Sequence, residues 1–483
     1  MNCTALRAPR RRLTAIAIAA LVGLPAPALA HAHLERTAPA SGARLTVAPR
    51  ELVLTFSEAP TLPMSALRLL GPDSADVALG ALGHSGGGRT LSAAITGALK
   101  AGTYTVLWQT AGDDSHVQHG SFRFTIAEGA EGLASAAKRG YVVAPGSTTA
   151  PRTITLDSAL TARHAGGFGV SSPFYVAIRW VQFASLVLLI GAVAFRWWVL
   201  PRAGVSLALA ESGRRELSLG AARAGMLGAS ILAVSAVARL AAQVATLHSP
   251  SMAGSAPSLG GVLLRTEWGH GWLLEIFALA FAIGALRLAR REATEVFPWR
   301  VAAASTVGLA FVPALSGHAV AERTFQPFTL LFDGAHVIAA GTWLGTLGVM
   351  LVVGVPVALR ASSDGRAEGL STMVNAFSRL ALACAGVLVF TGIVAARLEV
   401  ASWGAFTTTT YGRTLLIKLA IVLLLVLVGA YNWRRVRPAL ASDGGPAAER
   451  LRRSATLELV LGAVVLLVTA ILVALPTPVD LVR

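Results

Sequence analysis

Histidines beside a carboxylate mark one place in the chain where a metal ion could bind. Asp114 and His116 stand two residues apart, so an extended backbone directs both side chains to one side. A second source of ligands is His31, which follows Ala28-Leu29-Ala30, the A-x-A pattern of a signal-peptide cleavage site. Cleavage after Ala30 exposes an α-amine on His31. An amine with an ordinary pKa of about 8 can then chelate the same ion as its own imidazole.

The ligand types in this group indicate which metal they would bind. An amine, two imidazoles and a carboxylate suit Cu(II), which prefers tetragonal coordination by nitrogen and oxygen. We therefore predict one Cu(II) site formed by His31, Asp114 and His116, with His33 and His119 as further candidate ligands. The alternative for the loop is structural, because Asp side chains in such a run also shape turns.

A second group of candidate ligands lies in the apolar C-terminal part of the chain. Its four histidines all fall near one end of the predicted membrane helices, and Asp333 precedes His336 by three residues, on the same helical face. Ionisable groups inside a membrane usually face the bundle interior or a cavity. We therefore predict a metal path at that end of the bundle, with interfacial, hydrogen-bonded histidines as the structural alternative. The candidates are His248, Met252, His270, His318, Asp333 and His336.

The overall composition is that of a membrane protein. Of 483 residues, 54% are hydrophobic and only 14% are charged, with a mean hydropathy of +0.63. Soluble proteins carry about 25% charged residues, so an ordinary soluble enzyme and a disordered chain are both excluded. The net charge of +16 is interpreted as the positive-inside pattern of membrane loops and not as a nucleic-acid surface. Cys3 and Cys384 are too few to form a disulfide framework.

The elements that would position the first site form a small β domain at the start of a multidomain chain. Residues 1–30 combine a basic start, a short apolar run and the cleavage pattern, which predicts a removed export signal. Residues 31–127 hold at least five short alternating runs, which predicts an all-β Greek-key or Ig-like sandwich with Asp113–Gly120 as a loop. Residues 128–172 are rich in Gly, Ala, Ser and Thr, which predicts a flexible linker.

Residues 173–480 are predicted to form an all-α bundle of eight transmembrane helices. Each long apolar stretch can cross a hydrocarbon core that needs about 20 residues. With the β domain exported, the loops assigned to the cytoplasm carry seventeen arginines, against five in the outer loops and C-terminus, as the positive-inside rule requires. The predicted spans are 174–199, 222–246, 271–289, 299–319, 329–358, 377–397, 413–433 and 455–475.

A set of short motifs runs through the β domain: His31-Ala32-His33-Leu34, Pro39, Trp108, Asp114-Ser115-His116 and Gly120-Ser121-Phe122-Arg123-Phe124. Together they resemble the periplasmic copper-binding CopC family of small Greek-key β-barrels. The resemblance implies that His31 binds Cu(II) through amine and imidazole, and that Asp114 and His116 complete the site. Ser115 and Val117 stand where the family usually has Gly and Pro. Met64 is the only methionine of this domain, so no separate thioether site for Cu(I) is expected there.

The helical part carries a second set of motifs: Ser316-Gly317-His318-Ala319, the run His336–Gly345, Phe377-Ser378-Arg379-Leu380, Tyr411-Gly412-Arg413 with Lys418, and Asn432. These resemble the CopD family of inner-membrane copper-resistance proteins. The two resemblances together are similar to CopC–CopD fusions, which are associated with copper uptake. His318 and His336 are the positions carried over for a metal path, and His270 and Asp333 match less directly.

The combined expectation is a copper importer of the inner membrane. The β domain on the periplasmic side would pass Cu(II) to the bundle, where Cu(I) is a further candidate. No phosphate-binding G-x-x-x-x-G-K-[ST] motif occurs, so no ATP-driven step is predicted, and no enzyme activity is expected. The expected partners are copper, lipid and other periplasmic copper carriers, without nucleic acid.

Three alternatives stay open at this point. Copper delivery to exported or membrane cuproenzymes would need no transport. A haem-binding electron-transfer bundle would use membrane histidines such as His318 and His336 as axial ligands. An N-terminal histidine also occurs in copper monooxygenases that attack polysaccharides, although here Asp114 would fill the coordination position that oxygen needs.

Overall fold

The chain folds into a β domain followed by a helical bundle. The computed structural model describes residues 34–85, 88–111, 117–131, 172–202, 211–247, 258–292, 295–315, 326–360, 363–400, 402–439 and 444–475. The predicted export signal and both histidines that follow it lie outside these residues. So do the loop 112–116 and most of the predicted linker.

Two sheets pack face to face in the β domain. One sheet has the strand order β1-β3-β7-β6 and the other has the order β2-β9-β8-β4-β5. Neighbours are antiparallel except β2 and β9, which are parallel. The strands are β1 Leu34–Ala38, β2 Arg44–Val47, β3 Glu51–Phe56, β4 Ala66–Leu70, β5 Asp76–Val77, β6 Gly83–Ser85, β7 Thr90–Ala94, β8 Gly102–Ala111 and β9 Val117–Glu131. The predicted all-β sandwich is confirmed.

Strict alternation of apolar residues explains why the sheets pack. In β3, Leu52, Leu54 and Phe56 are fully buried, while the residues between them are not. Phe56 meets Trp108 of the other sheet edge-on, with ring centroids 5.5 Å apart. Burial of each such side chain contributes about 1.5–3 kcal/mol.

The last strand corrects one local prediction. β9 begins at Val117, so His119 lies within a strand and not in the predicted loop Asp113–Gly120. The strand also continues to Glu131, into the segment predicted as linker. Its pairing with β8 runs from Gly102 to Ala111 without interruption, and this long ladder holds residues at both of its ends in sheet geometry.

The helical bundle follows the β domain in the chain. Three of its helices include π-helical turns, which add a residue to the turn and bend the helix locally. The helices are α1 Pro173–Ala194 with the π turn Phe195–Val199, α2 Glu211–Leu247, α3 Leu259–Arg265, α4 Glu267–Arg291, α5 Phe297–Leu315, α6 Gln326–Ala340 continuing through Gly341–Gly345, Thr346–Val349 and Met350–Gly354 to Val355–Leu359, α7 Ser363–Glu399, α8 Ala405–Thr408, α9 Thr410–Tyr431 continuing through Asn432–Val436 to Arg437–Ala439, and α10 Gly444–Leu472.

Seven helices in the described part of the chain are long and apolar enough to cross a membrane. The remaining predicted span, 299–319, corresponds to α5, which has 19 residues. Its Arg300 and its prolines, Pro298 and Pro313, lower its hydropathy. Large apolar side chains such as Phe277 and Leu382 are exposed on the outside of the bundle, as expected of a surface that faces lipid.

Hydroxyl side chains fix the starts of three spanning helices at the same end of the bundle. Ser172 accepts a hydrogen bond from the Tyr175 amide at the start of α1. Thr266 and Thr409 cap α4 and α9 in the same way. Each cap satisfies a backbone donor that the helix itself leaves unpaired.

Two glycines bring α1 and α6 into direct backbone contact. A Cβ added to Gly191 would lie 2.0 Å from the carbonyl carbon of Gly345, and a Cβ added to Gly345 would lie 2.0 Å from the carbonyl oxygen of Val187. Small residues allow membrane helices to approach this closely. Gly345 is also the last residue of the π turn Gly341–Gly345, so the bend and the contact occur together.

Candidate functional site

The β8–β9 hairpin places the candidate metal loop at one end of the sandwich. Ala111, the last residue of β8, pairs with Val117, the first residue of β9. The residues that connect them, 112–116, include Asp114 and His116 and lie outside the described part of the chain. The structure therefore shows where this loop begins and ends.

The chain start is brought to the same end of the sandwich. Leu34, the first residue of β1, pairs with Phe56, the last residue of β3. Just beyond β3, the Thr61 amide donates a hydrogen bond of 2.8 Å to the carbonyl oxygen of Ala111. The segment that follows His31 and the candidate loop thus leave the sandwich close together.

That end of the β domain docks on the helical bundle. Gln109, only 1% exposed, donates from Nε2 to the carbonyl oxygen of Leu247, the last residue of α2, at 3.2 Å. Apolar side chains from both domains bury this bond, so water does not compete for it. The cluster comprises Met64, Ala111, Leu247, Val262 and Trp268, with Val117, Leu240, Leu263 and Trp272 packed against it. We call its bundle side, formed by the end of α2, by α3 and by the start of α4, the docking face.

Hydroxyl contacts hold the docked end of the β domain in shape. The Ser65 and Thr110 hydroxyls are hydrogen-bonded at 2.8 Å and both residues are buried. Ser65 Oγ also donates to the carbonyl oxygen of Thr61. These bonds tie the turn before β4 to the end of β8, and so support both flanks of the docking cluster.

The β domain has two described histidines. His119 is exposed on β9, opposite Gln109 in the ladder, so it lies near the docked end. His84, which is not among the predicted ligands, donates from Nε2 to the carbonyl oxygen of Pro60 at 2.7 Å. That bond joins β6 to the loop after β3 and gives His84 a structural function.

His270 lies in the first turn of α4 but points away from the docking cluster. It is exposed, on the side of the helix opposite Trp268 and Trp272, and its Nε2 donates to the carbonyl oxygen of Leu264 at 3.1 Å. His248 and Met252, which follow α2, lie outside the described residues, as does His318 after α5.

His336 is hydrogen-bonded to α7. Its Nδ1 is 2.8 Å from Thr391 Oγ1, which is also 2.8 Å from the carbonyl oxygen of Val387. When the Thr391 hydroxyl donates to Val387, it accepts from Nδ1–H, and the lone pair of the neutral imidazole is then on Nε2. A neutral imidazole with one nitrogen fixed by a hydrogen bond and the other free to coordinate is the usual arrangement of a metal-binding histidine.

Charged side chains continue from His336 toward the end of the bundle. Lys418 of α9 interacts electrostatically with Asp333, with Glu399 and with the His336 ring. The Tyr411 hydroxyl donates a hydrogen bond to the Glu399 carboxylate. We call the group Asp333, His336, Thr391, Glu399, Tyr411 and Lys418 the polar seam. Thr391 and Tyr411 are buried, and the other four side chains are partly exposed.

The structure brings together only some of the residues predicted from the sequence. Asp333 and His336 share the polar seam, whereas His270 is exposed at the start of α4 and bonds to Leu264 of α3. Among the described residues, no three His, Cys, Asp or Glu side chains form a group that could hold a metal ion. Thr391 and Glu399 are not among the predicted residues. The sequence feature that could have indicated these two residues is a polar side chain within, or at the end of, an apolar span.

A second polar group is buried near the docking face. Arg239 and Glu275 form an ion pair of 3.0 Å between α2 and α4, and each side chain is at most 3% exposed. Gln182 of α1 donates to the same carboxylate at 3.2 Å. Removing one partner of such a buried pair costs about 3–5 kcal/mol, so this network fixes the packing of α1, α2 and α4.

Comparison with known proteins places these features in a family. Three family models match the chain: the CopC domain over residues 34–127, the N-terminal domain of copper resistance protein D-like proteins over 170–325, and copper resistance protein D over 371–472. The chain belongs to the CopC–CopD fusion family. The docking cluster therefore joins the CopC part to the CopD part, and the polar seam lies in the CopD part.

Named relatives cover both parts of the fusion. The copper transport protein CutJ of Bacillus subtilis (strain 168) is 23% identical over 483 residues, covering 97% of this chain and 78% of CutJ. The inner membrane protein YebZ of Escherichia coli (strain K12) is 26% identical over 303 residues, covering 62% of this chain and 97% of YebZ. Among solved structures, the chain is similar to the crystal structure of PcoC, a methionine-rich copper resistance protein from Escherichia coli. The two sequences are 28% identical, the TM-score is 0.19, and the match covers 20% of this chain and 99% of PcoC.

The CopC–CopD chain is thus a copper-handling protein with the helices of a membrane protein. Its families are copper-binding or transport families and not families of enzymes. The fold, the family and the copper-related function predicted from the sequence are confirmed at this level.

Proposed function

We propose that this CopC–CopD protein acquires copper at the inner membrane. The β domain, on the periplasmic side, binds Cu(II) and passes it to the bundle for import, which contributes to copper homeostasis and resistance. The observation that carries the proposal is the docked contact of Gln109 with Leu247. It supports a direct transfer, because the ends of the loop 112–116 are packed against the bundle.

The proposed donor site is formed by His31, Asp114 and His116. Its support is that the chain start and the loop leave the sandwich at the same end, and that these ligand types suit Cu(II). His33 and His119 are alternates, and the described position of His119 on β9 near Gln109 keeps it within the same part of the domain.

The proposed receiving path begins on the docking face. His248 and Met252 directly follow α2, whose last residue contacts the β domain, and His270 lies on α4 beside the docking cluster. The segment 316–325, which carries His318, joins α5 to α6. It therefore leads from the helix beside the docking face to the helix that carries His336.

The proposed binding position in the bundle is His336 with Asp333. His336 lies ten residues after the start of α6, which corresponds to a depth of about 15 Å at 1.5 Å per residue. When Thr391 accepts from Nδ1–H, the Nε2 lone pair can coordinate an arriving ion without a change of tautomer. Imidazole is a suitable ligand for copper.

Copper accumulation in cells tests this function. Cells that express the protein should take up more copper into the cytoplasm than cells that do not, and His336→Ala should remove at least half of the gain. His164→Ala, in the predicted linker, is the matched control and should keep it. Unchanged cytoplasmic copper together with better metallation of exported cuproenzymes would instead support delivery without transport.

A further inference from the structure

Two methionine side chains meet between α6 and α7. Gly354 is the last residue of the π turn Met350–Gly354, and a Cβ added to it would lie 3.2 Å from Met373 Sδ and 3.5 Å from Met350 Cγ. Both methionines are only 1% exposed. The chain has six methionines among 483 residues, so the convergence of two of them beside one glycine does not follow from composition.

The same two helices carry the proposed binding position in the bundle. His336 of α6 is hydrogen-bonded to Thr391 of α7. Eighteen residues separate His336 from Gly354, and eighteen also separate Thr391 from Met373. In a regular α-helix eighteen residues make about five full turns, and α7 is α-helical throughout. Thr391 and Met373 therefore lie on one face of α7, and this face packs on α6.

A third sulfur lies on this face of α7, between the two positions. Cys384 comes seven residues before Thr391 and eleven after Met373, spacings of about two and three turns. It is a buried free cysteine and belongs to the same hydrophobic cluster as both methionines. The face of α7 that packs on α6 thus carries a thiol and then a thioether beyond the position of His336.

The two methionines lie toward the end of the bundle that is opposite the docking face. Helix α2 connects the two ends. Its last residue, Leu247, contacts the β domain, whereas Glu216 in its first turns forms an ion pair with Arg360, directly after α6. Met350 precedes Arg360 by ten residues and His336 precedes it by twenty-four. A copper ion that enters beside the docking face would therefore reach His336 before the methionines.

The chemistry of the thioether indicates which ion this place would hold. Thioether sulfur is a soft ligand that selects copper(I). A thioether carries no charge, so a pair of them can be buried in an apolar core without the cost of burying ionised groups. Met350 also begins a π turn, and π turns within helices are frequent at functional sites. Apolar packing alone would be served as well by leucine, which has a similar volume.

We propose that Met350 and Met373 form a copper(I) site between α6 and α7, in the half of the bundle that lies away from the docking face. Their two sulfurs are the ligands, and the ion binds and leaves as copper(I), without a change of oxidation state. This site rests on the proposed copper path. It adds to that path a second position and a preference for the reduced ion.

Copper(I) binding to the full-length protein in detergent tests this site. Titration against a chromophoric copper(I) chelator under anaerobic, reducing conditions gives the affinity, and X-ray absorption at the copper edge detects sulfur ligands. The double variant Met350→Leu, Met373→Leu keeps the core volume but should bind one copper(I) ion about tenfold more weakly or worse, because both thioethers are removed. Its copper–sulfur signal should fall as well.

Met64→Leu is the matched control, because it replaces a methionine of the β domain that is also fully buried. It should equal the wild type in affinity and in copper–sulfur signal. The sulfur signal reports on the ligands themselves, so it separates loss of the site from a general loss of stability. Unchanged affinity and an unchanged copper–sulfur signal in the double variant would overturn the assignment of the two methionines.

His336→Ala distinguishes failure of this site from failure of the proposed function. If His336→Ala lowers copper accumulation in cells while the double variant binds copper(I) like the wild type, only the methionine site is wrong. If the double variant loses the copper–sulfur signal while His336→Ala accumulates copper normally, the methionine site is supported and the proposed path through His336 is wrong.

Discussion

A single hydroxyl orients the His336 ring. Thr391 Oγ1 lies 2.8 Å from both His336 Nδ1 and the carbonyl oxygen of Val387, so a hydroxyl proton donated to Val387 leaves Thr391 to accept from Nδ1–H. The sequence indicated His336 as a candidate, since a histidine within an apolar span is rarely accidental. It did not indicate Thr391, because only the packing of α6 on α7 brings residues 55 positions apart into contact.

The α-amine of His31 gives a prediction at the residue scale. One extra residue placed before His31 in the full-length, processed protein removes that amine from the metal while leaving the imidazole. We expect the Cu(II) affinity to fall about tenfold or more, equivalent to about 1.4 kcal/mol or more, because the chelate ring is lost. Electron paramagnetic resonance of the Cu(II) complex should also show one nitrogen ligand fewer.

The control for this experiment is an extra residue in the predicted linker, for example after Ala150, which should leave the Cu(II) spectrum unchanged. An extension before His31 that alters neither spectrum nor affinity would show that the amine is not a ligand. The β-domain site would then have to be assigned without it.

At the scale of elements, the stability of the bundle depends on the close backbone contact between helices α1 and α6. Gly191→Ala places a methyl group against Gly345 of α6, where no space exists. Overpacking of this kind costs about 1–3 kcal/mol, so we expect a lower midpoint of thermal unfolding for the full-length protein in detergent.

Gly386→Ala is the matched control for this contact. Gly386 lies in α7 and a Cβ there would meet no heavy atom within 4 Å, so this variant should unfold at the wild-type midpoint or slightly above it. Equal midpoints for Gly191→Ala and Gly386→Ala would mean that α1 and α6 can separate without loss of stability.

Helix centres could be predicted from the sequence, but helix ends could not. The second span was predicted as 222–246, whereas α2 begins at Glu211. Its first turns are polar and include Glu216, which forms an ion pair with Arg360 after α6. Hydropathy identifies the part of a helix that lies in the apolar layer of the membrane. It does not identify the charged helical turns that continue beyond this layer into solvent. The same reason explains the long polar start of α7.

At the scale of the whole molecule, the decisive contact joins two domains. Each domain has a sequence pattern of its own, alternating in one and apolar in the other, so both could be predicted separately. Their contact could not, because Gln109 and Leu247 are 138 positions apart and a glutamine in a strand has no special pattern. The docked arrangement therefore appears only in the structure.

Weakening the docking cluster gives a prediction at this scale. Met64 is fully buried in the cluster, and Met64→Ala should reduce the apolar contact between the β domain and the docking face. Removal of a buried methionine side chain costs about 2–5 kcal/mol. We expect the Cu(II) spectrum of the full-length protein to stay unchanged, while copper accumulation in cells falls severalfold.

Val47→Ala is the control for the docking variant. Val47 is 56% exposed in β2 and takes no part in the docking cluster, so this variant should accumulate copper normally. Normal accumulation by Met64→Ala, with the domain contact shown to be lost by faster hydrogen exchange of the Gln109 side-chain amide, would mean that transfer does not need the docked arrangement.

The docked β domain also changes the kinetic order of copper transfer. A donor that is part of the same chain meets its acceptor at an effective concentration of about millimolar, as for a short flexible tether, whatever the number of protein molecules in the cell. Transfer is then unimolecular, and its rate per molecule does not fall when expression is low. A soluble carrier present at micromolar levels would compete poorly with this built-in donor. Such a carrier would instead deliver copper by loading the β domain.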